Sequence, residues 1–369
     1  MAYTSYTTGN ALAVKLFSRA LAHEVRGKTF FTQFMGEGDD NMIQIKPETG
    51  KSAGDKVTYG LRNLLTGDGI VGDSTLEGNE EALVTYSDSV LIDQLRHAVR
   101  SQGEMSEQRV PFKTREEAMM GQSDWWSERL DTILFNHLGG NLRANPTSVT
   151  GGSKTTTAFN GHNTIVAGST GRILWTESGT TADENLDSTG DEFSLTMIDK
   201  CVRVAGIQDS DGNPRIRPVR TSVGPRYLCF IHPGQAYDLR TSTTTGQWLD
   251  IHKSILQSGV KVGDNPIFTG LLGEYNKTLI FETSYIPNGF NSTTYANIAT
   301  VRRAVFAGAQ AAMVAFGQKY SFDNMNWVEK RFDYDNQLGV SSRNIFGIKK
   351  TVFNSKDFAS IVISSYSAV

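Results

Sequence analysis

The chain has 369 residues and a mass of 40.5 kDa, with 36 Lys and Arg against 39 Asp and Glu, a net charge of −3 at pH 7 and a pI near 6.1. At about 150 residues per domain this length suggests two or three domains, and the charge balance argues against a protein whose main surface grips nucleic acid. No stretch approaches the ~18 apolar residues of a membrane span, the start lacks the pattern of a secretory signal, and Cys201 and Cys229 are too few for a disulfide scaffold and fit a reducing cytoplasm.

The first predicted element is a helix near the start of the chain. Apolar residues recur at helical spacing from Ala11 to Val25, with Asn10 as the N-cap and Gly27 as the stop. The apolar segment 30–35 follows it. Such a helix must bury its apolar face, either against its own chain or against a neighbouring subunit.

Two predicted strands, 56–62 and 82–92, form a long hairpin. One face of each strand is apolar by period two, with Val57, Tyr59 and Leu61 in the first and Val84, Tyr86, Val90 and Ile92 in the second. From Asn63 to Leu95 there are seven acids and no Lys or Arg. A loop of this length without its own core is either disordered or functional. Its acidic tip suits a basic surface on another molecule, and the other interpretation is a solvated loop.

The clearest helix is predicted over 114–138, a rod of roughly 36 Å. Thr114 and Glu117 match a capping box, and Gly139 occupies the C′ position. Its predicted buried stripe consists of Met119, Trp126, Leu130, Ile133 and Leu134.

The composition changes after this helix. Residues 145–190 are rich in Ser, Thr, Gly and Asn and predict a loop-rich insertion with short strands at 164–167 and 172–175. A compact α/β domain is expected over 193–317. Its predicted helices are 193–206, 233–241 and 248–257, and its predicted strands are 227–231 and 278–283. From residue 346 onward, apolar and polar residues alternate as in β-strands. We expect these strands to pack on the helix 114–138.

One motif suggests a nucleotide site. Residues 67–72 match GxGxxG, but a dinucleotide site needs that motif between a strand and a helix. No helix start follows here, and Asp68 and Asp73 would repel phosphate groups. We therefore expect a turn and no cofactor.

Two further motifs suggest metals. Residues 209–213 open like a calcium loop, but Pro214 and Arg220 stand where a glycine and a carboxylate are required. Cys229 and His232 lack the further ligands of a structural zinc site. No enzyme signature is present, so we expect neither catalysis nor a resident metal. A divalent ion at a subunit contact formed by the tip acids stays open.

Several separated segments resemble tailed-phage major capsid proteins of the podophage-like family. The resemblance is carried by the block from Gly54 to Val110 and, in the order of that family, by FIHPGQAYDLR (230–240), GLLGEYNKTLIFETSYIP (270–287) and AVFAGAQAAMVAFG (304–317). It implies an α+β, Hong Kong 97-type capsid fold. The implied parts are an N-terminal arm (1–49), an extended β-hairpin loop (50–92), a peripheral domain (93–192 and 318–369) with the spine helix 114–138, and an axial α/β domain (193–317).

The resemblance implies a shell subunit and no enzyme. Its copies would form hexamers and pentamers of an icosahedral capsid around a double-stranded DNA genome, in weak non-specific contact with the DNA. Assembly in the bacterial cytoplasm is implied, with a separate scaffolding protein and a portal as partners, no membrane, and a decoration protein left open. The alternative is an encapsulin-like bacterial compartment of the same fold. An enzyme or carbohydrate-binding module, suggested by five Trp and the Ser/Thr-rich stretch, is a more distant third interpretation.

The expected inter-subunit contact joins the hairpin tip to a neighbour. Its acids are Asp68, Asp73, Glu77, Glu80 and Glu81, and the candidate cations are Arg115, Arg129, Lys330 and Arg331, with Lys349 and Lys350 in the tail. Some relatives form a Lys–Asn crosslink between subunits. Lys51 and Lys56 lie at the base of this hairpin and not at its tip, so we expect no such crosslink.

Overall fold

The computed structural model describes residues 11–46, 54–62, 65, 67–111, 113–145, 157–187, 189–207, 213–221, 224–242, 271–318, 320–321 and 324–367. Its α-helices are α1 (Ala11–Lys28), α2 (Glu104–Gln108), α3 (Thr114–Leu138), α4 (Leu195–Gly206) and α5 (Pro233–Ser242). Its strands are β1 (Met35–Gly36), β2 (Ile43–Lys46), β3 (Lys56–Arg62), β4 (Thr85–Leu91), β5 (Asp93–Arg100), β6 (Ile173–Trp175), β7 (Val219–Thr221), β8 (Gly224–Ile231), β9 (Leu271–Tyr275), β10 (Thr278–Glu282), β11 (Asn288–Phe290), β12 (Asn297–Ala307), β13 (Ala312–Phe316), β14 (Asn326–Phe332), β15 (Gln337–Lys350), β16 (Val352–Phe353), β17 (Lys356–Asp357) and β18 (Ser360–Tyr366). The predicted helix 248–257, the calcium-like residues 209–212 and the predicted N-cap Asn10 lie outside the described residues.

Two mixed sheets contain most of these strands, while β3 pairs with β4 and β16 with β17 in two-stranded sheets. The first has the order β1-β2-β13-β15-β14, with β5 also paired to β15. The second has the order β6-β18-β12-β8-β10-β9, with β11 on β12 and β7 on β8. Most strand pairs in both sheets are antiparallel, and the helices pack beside them. This combination is the α+β class that the sequence predicted.

Helix α3 covers the predicted residues and packs on the first sheet. Buried Trp126 donates its indole N–H to Ser342 Oγ at 2.6 Å and meets the Phe346 ring edge-on. The capping-box prediction is wrong, because Lys113 is the N-cap and Thr114 is already helical. Gly139 has φ −74° and stays right-handed.

The N-terminal helix α1 docks within its own chain. Leu21, Ala22 and Val25 are fully buried, and the Phe17 ring stacks on Trp327 of β14. After α1 the chain forms a 3-10 helix, Phe30–Phe34, whose aromatic rings contact rings of both α3 and the second sheet. Of the two docking modes expected for this helix, the structure shows the intramolecular one.

The predicted hairpin is present. Strands β3 and β4 pair in antiparallel register from Lys56 opposite Leu91 to Arg62 opposite Thr85. Val57, Tyr59, Leu61 and Val90 are buried on one face, as predicted. Val84 is exposed and precedes the second strand, which begins only at Thr85. Tyr86 lies within that strand opposite Leu61 and is also exposed, although its ring meets Phe353 edge-on. The chain continues after Leu91 into β5.

The insertion and the tail differ in part from expectation. The run 172–175 contains β6, but 164–167 forms no strand. Strand β15 packs on α3 as expected, whereas β18 lies between β6 and β12 in the second sheet. Since Ile361, Val362 and Ile363 are all buried, β18 has apolar residues on both faces, which suits a central strand.

Candidate functional site

The hairpin is anchored at its base by a partly buried network. Asp88 accepts hydrogen bonds from the Tyr59 hydroxyl at 3.0 Å and from the Val352 backbone N–H at 3.3 Å, and it forms an ion pair with Lys349. Nearby, the Asn163 side chain both accepts from the Leu91 N–H and donates to the Leu91 carbonyl. The base is therefore fixed to β15 and to the insertion.

Beyond the base, the hairpin projects into solvent. Every described residue from 65 to 87 is exposed, including Val71 at 86% and Leu76 at 59%. Gly69 and Gly72 have φ near +70°, so the GxGxxG motif forms turns, and no helix follows it. The dinucleotide interpretation therefore has no support from the geometry.

The five predicted tip acids divide into two groups. Glu81 accepts from the Gly67 N–H at 2.7 Å and Glu80 from the Gly78 N–H at 2.8 Å, so both help to shape the loop. Asp68, Asp73 and Glu77 are exposed and form no ion pair in the described part of the chain. These three are the acids that a partner can reach without reshaping the loop.

The predicted cations lie in different environments. Arg115 is engaged within its own chain, where its guanidinium binds both oxygens of the Glu329 carboxylate at 2.7 and 2.5 Å and covers the Phe17 ring. Arg129 lies over the rings of Trp125 and Phe159 at 4.9 and 3.7 Å, and burial lowers its pKa.

Lys330 and Arg331 are exposed on β14. The tail lysines are not exposed in this way. Lys350 is 2% exposed, pairs with Asp357 at 2.6 Å and donates to two backbone carbonyls, so its expected contact with a neighbour is wrong. Lys349 is held by Asp88 at the hairpin base.

A group of cations that the sequence interpretation missed lies on the outer face of the first sheet. We call Arg96, Arg100, Lys330 and Arg343 the basic face. In the register of β5, β15 and β14, Arg343 lies directly opposite Arg96, and Gly339 lies opposite both Arg100 and Lys330. The other face of these strands carries Trp327 and Ser342 and packs toward α1 and α3. The signal was the alternation of Arg96, Ala98 and Arg100, which was missed because the strand was expected to end at residue 92.

A buried carboxylate joins the segment that follows α1 to α3. Asp131 is fully buried, and its two oxygens accept the backbone N–H groups of Phe30 at 2.9 Å and Phe31 at 3.2 Å. The 3-10 helix that starts there has no side-chain cap of its own. Burial raises the Asp131 pKa to about 7, and the two N–H donors oppose this rise.

Three further features of the described residues concern metal binding, thiol chemistry and membrane crossing. They contain no cluster of three His, Cys, Asp or Glu side chains that could hold a metal. Cys201 and Cys229 are free and fully buried, and burial raises the pKa of Cys229 to about 12. In this part of the chain no helix combines the length and the apolar character needed to cross a membrane.

Comparisons with known proteins agree over almost the whole chain. A family model described as phage capsid protein matches residues 5–369. The major capsid protein of Pseudomonas phage KPP25 is 26% identical, covering 99% of this chain and 98% of the relative. The solved capsid of Ralstonia phage GP4 is 32% identical with a TM-score of 0.78, covering 100% of this chain and 99% of that one. The cyanophage Pam1 capsid chain, 18% identical with a TM-score of 0.67 over 100% and 95% of the two chains, shares the fold.

Proposed function

The chain belongs to the phage capsid protein family, and from this membership we propose how its parts build a shell. It has the Hong Kong 97-type fold and is a major capsid protein, a structural component of the virion whose copies associate into the icosahedral shell of a phage. The encapsulin-like alternative is not favoured, since the matching proteins are phage capsid proteins along nearly their full length.

The finer parts of this function are our proposal. The subunits form hexamers and pentamers that enclose double-stranded DNA, and assembly occurs in the host bacterial cytoplasm. A separate scaffolding protein and a portal assist. The parts are an arm (1–49), an extended hairpin (50–92), a peripheral domain (93–192 and 318–369) and an axial domain (193–317). The near-neutral charge supports weak contact with DNA, because each neutralised phosphate adds salt-dependent affinity.

The single observation that carries the contact proposal is the projecting hairpin. It exposes Val71, Leu76 and other large apolar side chains together with acids, and nothing in the described part of its own chain covers them. An exposed apolar surface of this kind marks an interaction site. We infer that the tip lies on a neighbouring subunit and that Asp68, Asp73 and Glu77 meet cations there.

Charge reversal tests this contact. The variant Asp68→Lys/Asp73→Lys/Glu77→Lys should fold normally, because these side chains are exposed, and it should fail to form shells. The matched control Asp68→Glu/Asp73→Glu/Glu77→Asp keeps the charge and should assemble. Light scattering and negative-stain microscopy report assembly, and circular dichroism reports folding. Normal shells from the reversed variant would refute the proposal.

A further inference from the structure

The basic face combines like charges where a sheet ordinarily avoids them. Arg96 and Arg343 are direct cross-strand neighbours, a placement that is destabilising when both charges have the same sign. None of the four cations forms an ion pair within the described part of the chain, and the Nε of Arg343 is buried without a hydrogen-bond partner. Arg100 does donate a hydrogen bond to the Gln337 side chain, but no carboxylate in the described part of the chain compensates the like charges of Arg96 and Arg343. An acidic partner that binds there would supply the missing compensation.

The face also holds its cations in place. Gly339 has no side chain, and a Cβ there would lie 2.7 Å from the Phe332 ring, so the ring occupies that space. Arg100 and Lys330 both lie over this ring, at 4.3 and 5.0 Å from its centre. Such cation–π contacts restrict the long side chains before a partner arrives.

The chemistry of the face complements the hairpin tip. Between the cations lie exposed Ala98 and Val328, the latter 40% exposed, on either side of Ser341. The middle of the face therefore carries small and apolar side chains and no charge, with the cations on both sides along the strands. The tip offers exposed Val71 and Leu76 and several acids without any Lys or Arg. Burying both apolar sets removes them from water, and the charges then pair in a less polar environment.

The hairpin does not reach the face of its own chain. Its base is fixed at Lys349, and the exposure of the tip shows that it does not lie on the basic face of the same chain. The described tip residues are all exposed, so none is covered by this face. The occupant therefore comes from a second copy.

We propose that the basic face is the receptor for the acidic hairpin tip of a neighbouring copy of this chain. The proposal rests on the proposed function and adds Arg96, Arg100 and Arg343 to the contact. Of the cations expected from the sequence, it includes the exposed Lys330 and leaves out Arg115, because Arg115 already forms an ion pair with Glu329.

A reversal and rescue experiment tests it. Arg96→Glu/Arg343→Glu should abolish shell formation while the subunit stays folded, and Arg96→Lys/Arg343→Lys should assemble. Combining the Glu variant with the tip-reversed triple variant should restore shells, because the charges are complementary again. If the tip reversal blocks assembly and the face reversal does not, the proposed function stands and this receptor is wrong. If neither blocks assembly, both fall. If the face variant forms shells that package less DNA, the face binds nucleic acid instead and the receptor assignment is overturned.

Crosslinking supplies a second readout that does not depend on folding of charge variants. The double variant Val71→Cys/Val328→Cys, treated with a short bis-maleimide after assembly, should give a ladder of covalent oligomers on denaturing gels. Each single variant should stay monomeric, since Cys201 and Cys229 are buried. A monomer band alone from assembled double-variant shells would overturn the proposal.

Discussion

Replacing Asp131 by Asn removes a buried titratable group but keeps an oxygen acceptor for the 3-10 helix that begins at Phe30. The Asn oxygen can still accept one of the two N–H groups of Phe30 and Phe31. Any change in pH dependence then reports the carboxyl group itself. The substitution therefore tests whether burial of the Asp131 carboxyl group makes the stability of the subunit depend on pH.

The expected magnitude follows from the pKa. Burial raises the pKa of Asp131 from 3.8 to about 7, so between these values the folded chain binds a proton that the unfolded chain has lost. Stability from this group is therefore greatest in acid and falls as pH rises from 4 to 7. At 1.36 kcal/mol for each pKa unit, the full change is about 4 kcal/mol.

Histidines change stability in the opposite direction over the same interval. Burial lowers the pKa of His137 and His232 to about 4, so their contribution to stability is present above the unfolded pKa and is lost as pH falls. The wild-type curve alone would therefore hide the effect of Asp131. The informative quantity is the unfolding free energy of the wild type minus that of Asp131→Asn.

The assay is urea unfolding of the unassembled subunit, followed by tryptophan fluorescence at pH 5, 6, 7 and 8. Wild-type stability relative to the variant should fall steadily up to pH 7 and then level off. A difference that does not depend on pH, or that rises with pH, would refute the reasoning about desolvation at this site.

The other predictions concern the core. Asp183→Ala leaves the buried Arg303 without its carboxylate partner and should lower the unfolding free energy by about 3–5 kcal/mol in urea titrations; an unchanged midpoint would show that the pair contributes nothing. Gly347→Ala places a Cβ against the Leu91 carbonyl and should cost about 1–3 kcal/mol by thermal unfolding, whereas Gly60→Ala, which meets nothing within 4 Å, serves as the control. Finally, Cys229 should resist maleimide in the folded subunit and react after unfolding, as mass spectrometry can measure.

Sequence patterns predicted the elements whose apolar residues have a clear period. Helix α3 and strand β3 have the predicted bounds, because their periodic faces are buried within the chain. Helix ends were predicted less well. A Thr with a Glu three residues on matched a capping box, yet the backbone carbonyl of Lys113 begins the helix, and a side-chain pattern carries little information about that.

The candidate site was predicted only in part, for a physical reason. The acidic tip is continuous in sequence, so composition alone revealed it. The basic face is built from three strands that are far apart in the chain, and its cations meet only through the register of β5, β15 and β14. The burial of Lys350 by Asp357 likewise depends on tertiary packing that the sequence does not display.

The central place of β18 has a consequence for synthesis. In the described part of the second sheet, β18 joins β6 to β12, yet it follows every other strand of that sheet in chain order. A nascent chain therefore cannot close this sheet until residues 360–366 have left the ribosome, even though domains otherwise fold from their N-terminal side as they emerge. Translation products that stop before residue 360 lack the strand that joins β6 to the rest of the sheet, so they cannot complete this core.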